Sequence, residues 1–408
     1  MLRGSSSLSV PTPRHMPSIE FLPLAVNPGN YPKSRLSMLP SLARIVWPGR
    51  EATPTSCAFL DIPEFFVYGR YALVQALKRS GVSPGKVVLL PAYHCRTIVE
   101  SVLHLGAEVR FYLTKPNLSP DFTVMPELVS DGKVRALLLT HYFGFPNALE
   151  EAQNFCAAHD IKLIEDCAHA FYGEQDGQVL GTFGHYSVAS AWKFLPLRDG
   201  AVLRDNTLAS TPVDLRPQPI KAEIKALLAM LELRARSGLG RAKLQEFEAA
   251  ELVGRARTIA AASVKPAGGN DIQFNPCQVE MAGLASSRWL VAHSAHARVI
   301  RRRRENYLHW LAGVCDLPGI RPLFPVLPEG TVPYAFPLLT DTSGLLFHAL
   351  KLAGIPIWRW EDVAITDCPV ARDYRLRLLQ LPCHQDLSRE EIDWMLRVLR
   401  GVLPGLLA

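Results

Sequence analysis

Residues 161–170 read IKLIEDCAHA, an apolar strand that delivers two carboxylates, Glu165 and Asp166, to its carboxyl end. Ligands of open α/β sheets sit at such ends, where a carboxylate faces a ribose, a metal or a pyridinium nitrogen, or simply caps the strand. On both sides of this segment the chain alternates short apolar runs with longer stretches whose apolar residues return every three or four positions. That is the pattern of parallel strands joined by crossover helices. Strands are expected over 86–90, 108–112, 134–140, 161–165, 186–190 and 201–204, and helices over 71–80, 96–105 and 148–159. Glycine or proline punctuates most of the joints. The expected fold class is therefore α/β, a mainly parallel sheet with flanking helices, followed by a smaller α+β C-terminal domain.

The texture changes after prolines 212, 217 and 219, where residues 220–262 become rich in Ala, Leu, Arg, Lys and Glu. They read as two helices broken around Ser237–Gly240, a helical insertion whose bland role is a hairpin packed on the core and whose alternative is a partner or membrane surface. A later helix carries the run Arg301–Arg304, expected as a solvated face, and the chain closes with a helix over 389–402. The division expected is an N-terminal arm over 1–55, a large domain over 56–265 and a small domain over 266–408.

Composition narrows the classes. The 408 residues are 48% hydrophobic and 20% charged, as in a globular chain with a sizeable core. No apolar stretch reaches the roughly 18–20 residues of a membrane span, and the polar start MLRGSSSLSVPTPRHM lacks the apolar centre of a secretory signal. A cytoplasmic protein without membrane contact is expected. A net charge of +6 is modest for this length and points to no nucleic-acid partner. The eight cysteines are scattered without a C-x-x-C pair, so free thiols and no metal are expected.

Three further features bear on chemistry. In SVASAWKFLPLRDGAVL (187–203), Lys193 follows a small-residue strand, where an ammonium is costly to desolvate unless paired or chemically used. In FFVYGRYALVQALKRSG (65–81), Gly69 stands at a helix entry, where open backbone NH groups and the helix dipole suit a phosphate. Ser190 precedes Lys193 by three residues and offers a hydroxyl to the same anion. An amine for imine formation, a carboxylate for a ring nitrogen and donors for a phosphate make up the set that a pyridoxal cofactor needs.

These residues resemble the DegT/StrS-type sugar aminotransferases, within the fold-type I pyridoxal-phosphate enzymes. The matching pieces fall in family order: GRYAL, PGKVVLLPAYHC, LLLTHYFGFP, LIEDCAHAFYGEQDGQVLGTFG, the lysine turn, RRRRENY and LQLPCHQDLSREEI. The resemblance implies pyridoxal 5'-phosphate as cofactor, Lys193 as its Schiff-base lysine and Asp166 as partner of its ring nitrogen. It implies that His169 lies near the ring oxygen, and that Gly69, the backbone of Arg70 and Ser190 hold the phosphate. Cys95 falls where the family has a ring-stacking aromatic residue, and the family's GTFGD ends here in His185. Glutamate as amino donor, a nucleotide-linked keto sugar as acceptor, and a homodimer with residues around Asn275 reaching the neighbouring cofactor are also implied. The competing readings are a non-sugar acceptor, and a cofactor-binding regulator or scaffold without turnover. A fold-type I lyase or desulfurase lacks this motif order, and a dehydratase-like relative would carry histidine in place of Lys193.

Overall fold

The computed structural model describes residues 19–23, 31–34, 36–41, 56–60, 64–209, 211–239, 247–262, 274–342 and 344–408. Most of the arm expected over 1–55, and the boundary expected at 265/266, lie outside them. The chain order begins β1 (Phe65–Phe66), α1 (Gly69–Arg79), β2 (Val87–Pro91), α2 (Arg96–His104), β3 (Glu108–Tyr112), α3 (Met125–Leu128), β4 (Val134–Thr140), α4 (Leu149–Ala158) and β5 (Lys162–Cys167). A short hairpin, β6 (Glu174–Gln175) with β7 (Gln178–Val179), leads to β8 (Tyr186–Ser190) and β9 (Ala201–Asp205). Then follow α5 (Ile220–Leu239), α6 (Ala249–Ala261), α7 (Ala285–His293), α8 (His296–Val314), β10 (Ile320–Pro322), β11 (Ala335–Thr340), α9 (Leu345–Leu352), α10 (Pro369–Arg377), β12 (Leu378–Pro382) and α11 (Arg389–Leu407).

The large sheet has the order β1-β9-β8-β5-β4-β2-β3. Its β2, β3, β4, β5 and β8 run parallel, and they read as near-continuous apolar runs because both faces are covered. Val88, Leu90, Ala136, Leu138 and Ile164 join a core under α1 and α2. Val87, Leu89, Leu137, Leu139 and Leu163 point the other way, into a core shared with the C-terminal region. One expectation needs correcting: the strand at 201–204 is not joined by a crossover helix. β9 pairs antiparallel with β8 and β1 with β9, since the residues between Ser190 and Ala201 are too few for a crossover, which needs a dozen or more.

A second sheet, β10-β11-β12, is wholly antiparallel. α8 and α10 pack on it, and α11 packs in turn on α8 and α9. α11 starts at a capping box in which Ser388 Oγ accepts from Glu391 N at 3.2 Å and Glu391 Oε2 accepts from Ser388 N at 2.7 Å. The segment 220–262 does form two helices, but they part company. α6 packs on α9 and α11, whereas α5 is held to α7 through Glu223, which accepts from Ala285 N at 2.6 Å and Ser286 Oγ at 2.5 Å. α5 buries Ala226 and Met230 and leaves Ile220, Ile224, Leu227, Leu228 and Leu231 exposed.

The arginine run is not a solvated face. Arg301 and Arg302 do pair with Glu305 near the surface, but Arg303 is wholly buried. Arg304 donates to Pro328 O at 2.8 Å and Thr331 O at 2.5 Å. Four consecutive positions sweep most of the way round a helix, so one of them must meet the core whatever its charge.

Candidate active site

A cavity of about 280 Å³ opens at the carboxyl ends of β4, β5 and β8. The chain order reverses there: β3 lies outside β2 while β4 returns to its other side, which makes the crevice a topological switch point. The sequence-derived residues Gly69, Arg70, Cys95, Asp166, His169, Ser190 and Lys193 all line it.

β5 separates its two carboxylates because successive side chains of a strand point to opposite faces. Glu165 is wholly buried and lies off the cavity. Its Oε1 accepts from the NH groups of Phe183 and Gly184, both at 2.8 Å, and its Oε2 from Gly181 NH at 2.9 Å and His141 Nε2 at 3.1 Å. The three backbone donors fix the 181–184 loop that leads into β8, and His141 ties the same carboxylate to the end of β4. His141, Glu165 and Cys167 bring ligand-type atoms within 4.8 Å of one another, yet Glu165 is already saturated, so the group reads as structural. Asp166 instead borders the cavity, its Oδ1 accepting from Ala168 NH at 3.0 Å and its Oδ2 from Thr140 Oγ1 at 3.3 Å. Burial raises its carboxyl above the usual carboxylate range, and the nearby Lys193 charge is the largest influence opposing that rise. A cationic N–H delivered into the cavity would stabilise its ionised form.

Lys193 hangs from the connection of the β8–β9 hairpin, at the end of a single 3-10 turn over Ala191–Lys193. The hairpin closes through Gly200, which has φ +119° and where a Cβ would stand 2.6 Å from the Phe65 ring. Lys193 Nζ lies 5.6 Å from the centroid of the Tyr334 ring and 5.9 Å from that of Trp192. Burial lowers its ammonium below the ordinary lysine value, with Cys95 and Asp166 opposing. The free amine, which is the nucleophilic form, is therefore reached at a lower pH than on a surface lysine.

At the other end, α1 begins at Gly69 with no side-chain cap at Tyr68, which leaves first-turn NH groups open to an anion. A Cβ on Gly69 would stand 3.0 Å from Ser190 Oγ, so glycine lets helix start and strand end approach without displacing that hydroxyl. Cys95 is the N-cap of α2, with its Sγ 3.3 Å from Thr97 Oγ1. Cys95 thus brings a small thiol, and no ring, to this edge of the cavity. The rings of the wall come from elsewhere: His169 stacks on Tyr334 at 4.4 Å and 19°, with Phe143 at 5.7 Å and Trp360 at 5.4 Å. Burial, reinforced by the Lys193 charge, pushes His169 well below its ordinary pKa, so it is neutral. Its Nδ1 faces Phe143 NH at 3.5 Å, which leaves the proton on Nε2. Phe143 reaches that position in the left-handed region, at φ 59°.

Tyr334, Trp358, Trp360 and Gln380, which no sequence motif singles out, form the C-terminal wall of the cavity. The only available signal was the triplet Trp358–Arg359–Trp360, two aromatics at the spacing that shares one face of an extended segment. Taken together, the residues fit pyridoxal phosphate: an uncapped helix start with a glycine cradle for the phosphate, a buried carboxylate for the ring nitrogen, and a buried amine between them.

Residues 68–254 match the DegT/DnrJ/EryC1/StrS aminotransferase family. The chain is 23% identical over 350 residues to a UDP-N-acetyl-3-dehydro-alpha-D-glucosamine 3-aminotransferase of Acidithiobacillus ferrooxidans, covering 83% of each chain. It is 26% identical over 355 residues to a dTDP-4-dehydro-2,3,6-trideoxy-D-glucose 4-aminotransferase of Saccharopolyspora spinosa, covering 81% of this chain and 82% of that one. Among solved structures, the aminotransferase TlmJ of Streptoalloteichus hindustanus shares the fold with a TM-score of 0.60 at 23% identity, over 85% of this chain and 86% of that one.

Proposed function

From the premise that residues 68–254 make this chain a member of the DegT/DnrJ/EryC1/StrS aminotransferase family, we propose how it works and on what. It is a pyridoxal-phosphate-dependent transaminase that moves an amino group from glutamate to a nucleotide-linked keto sugar in polysaccharide or secondary-metabolite biosynthesis. The observation that carries this reading is that Lys193, Asp166 and the Gly69 helix start border one cavity. Two relatives that align over most of their length are named for UDP- and dTDP-linked keto sugars, which supports the acceptor class.

The bound cofactor supplies an electron sink that makes the hydrogen on the donor carbon removable. Lys193 would hold the cofactor covalently, and its amine would take up and return a proton at Nζ as base and then acid. Asp166 would favour a protonated ring nitrogen through its charge. His169 Nε2 would donate to the ring oxygen, and the NH groups of Gly69 and Arg70 with the Ser190 hydroxyl would hold the phosphate. Cys95 leaves room at the ring's face. We read the protein as a cytoplasmic homodimer, with a cofactor-binding unit over 56–265 and a smaller unit over 266–408.

Adding glutamate to the cofactor-loaded protein is the test. Its absorbance is expected to change to that of the pyridoxamine form while 2-oxoglutarate is released. A loaded protein whose spectrum ignores glutamate would favour the regulator or scaffold instead.

A further inference from the structure

Arg303 belongs to none of the roles above. It sits on the face of α8 that also carries Val299, Asn306, Tyr307 and Trp310, all buried. A guanidinium has five N–H donors, and here each is used. Nε donates to Gln385 Oε1 at 3.0 Å; Nη1 donates to Pro333 O at 3.2 Å and Tyr334 O at 3.0 Å; Nη2 donates to Lys193 O at 3.1 Å and Phe194 O at 3.4 Å. The guanidinium carbon also lies 4.5 Å from the centroid of the Phe194 ring. Gln385 closes the circuit by donating from Nε2 to Phe194 O at 2.9 Å.

These acceptors are backbone carbonyls and one amide, with no carboxylate among them. A saturated fork has no donor left for a substrate's carboxylate, and burying a guanidinium without a counter-ion is costly. What the fork does join is specific. One arm holds the carbonyl of Lys193 itself, and another holds the carbonyl of Tyr334, whose ring stands 5.6 Å from Lys193 Nζ and stacks on His169. A rigid planar group therefore spans the lysine turn of one sheet and the entry to β11 of the other. A lysine ammonium, with three donors diverging from one point on a flexible stem, cannot reproduce that span.

We propose that Arg303 is a positioning residue that holds the Lys193 main chain in register with Tyr334 and so sets where the Lys193 amine stands relative to Asp166. The proposal rests on the reading of Lys193 as the cofactor-bearing lysine. It requires that loosening the fork changes the electrostatic surroundings of that amine rather than only the stability of the fold.

The test compares three cofactor-loaded variants: Arg303→Lys; Gln385→Ala, which removes one arm and leaves the guanidinium; and Val299→Ala, a stability control on the same buried face. Two quantities are read: the pH titration of the lysine-bound cofactor's absorbance, and the rate of borohydride trapping at Lys193. Arg303→Lys should move the titration midpoint by about one pH unit, equivalent to a tenfold change in equilibrium, and slow trapping about tenfold. Gln385→Ala should move both in the same direction by less, and it carries the decision if Arg303→Lys does not fold. Val299→Ala should lower Tm and move neither. Titrations unchanged from wild type in the fork variants, or the same shift in Val299→Ala, would overturn the proposal. A wild type that traps no cofactor on Lys193 would overturn the reading beneath it as well.

Discussion

The two walls of the cavity are built on different principles. On the sheet wall, Gly69, Asp166, Ser190 and Lys193 come from the first turn of α1 and the carboxyl ends of β5 and β8. Each is a charged, hydroxylic or open backbone group, and each has a polar task. On the C-terminal wall, Tyr334, Trp358 and Trp360 offer aromatic faces, backed by Arg303, whose donors are all taken by protein acceptors. The difference teaches that one wall holds the chemistry while the other fixes its geometry, so losses on the first should be large and specific and losses on the second graded.

Replacing Lys193 gives the sharpest version of that contrast. Lys193→Ala should abolish the lysine-bound absorbance in a folded protein and lower transamination by at least about 1,000-fold, since the amine is both the covalent anchor and the proton carrier. Asp166→Asn should keep the cofactor bound while slowing proton removal by about 100-fold or more, read as the single-turnover rate with glutamate. Tyr334→Phe should cost no more than about tenfold in the same assay. A loss equal to that of Asp166→Asn would break the distinction between the walls.

The neighbouring carboxylates make a second contrast within β5. Glu165→Gln should leave the absorbance of the bound cofactor in place and lower stability by about 2 kcal/mol, because an amide cannot accept from all four donors now on Glu165 and leaves a buried one unsatisfied. Thermal unfolding alongside the glutamate half-reaction separates the two outcomes.

The smallest effect concerns pH. Burial lowers His94 to about 4, so it stays neutral in the fold where the unfolded chain, with an ordinary value of about 6.5, would bind a proton. In that interval the unfolded state binds more protons. The contribution is therefore complete above the unfolded value and is lost as pH falls toward the folded one. In coenzyme-free protein, His94→Phe should flatten the fall in stability between pH 6 and 4.5 by about 1 kcal/mol per pH unit. Equal slopes in the two proteins would remove His94 from this account.

The sheet wall was legible because its signals are local. A strand ending in Glu165–Asp166, a lysine after a small-residue strand and a glycine at a helix entry each declare themselves within a few residues. The parallel strands were legible for the same reason, each being an apolar run bounded by turn residues. The direction of β9 was not, since an apolar run does not encode which neighbour it pairs with; only the short span from Ser190 to Ala201 decided it. The burial of Arg303 was not legible, because a run of four arginines looks solvated until the core on one side of α8 is known. Tyr334 and Trp360 were invisible because they reach the cavity through packing between residues far apart in the chain. The apolar stripe on α5 fits core packing and an outer surface equally, because hydrophobic spacing alone does not tell a covered face from an exposed one.

The central claim is that Lys193 is the residue that bears the cofactor. Borohydride reduction of the loaded protein followed by peptide mapping tests it most directly. The account predicts one cofactor-labelled peptide, carrying its label on Lys193 and missing from Lys193→Ala; a label on any other lysine would contradict it.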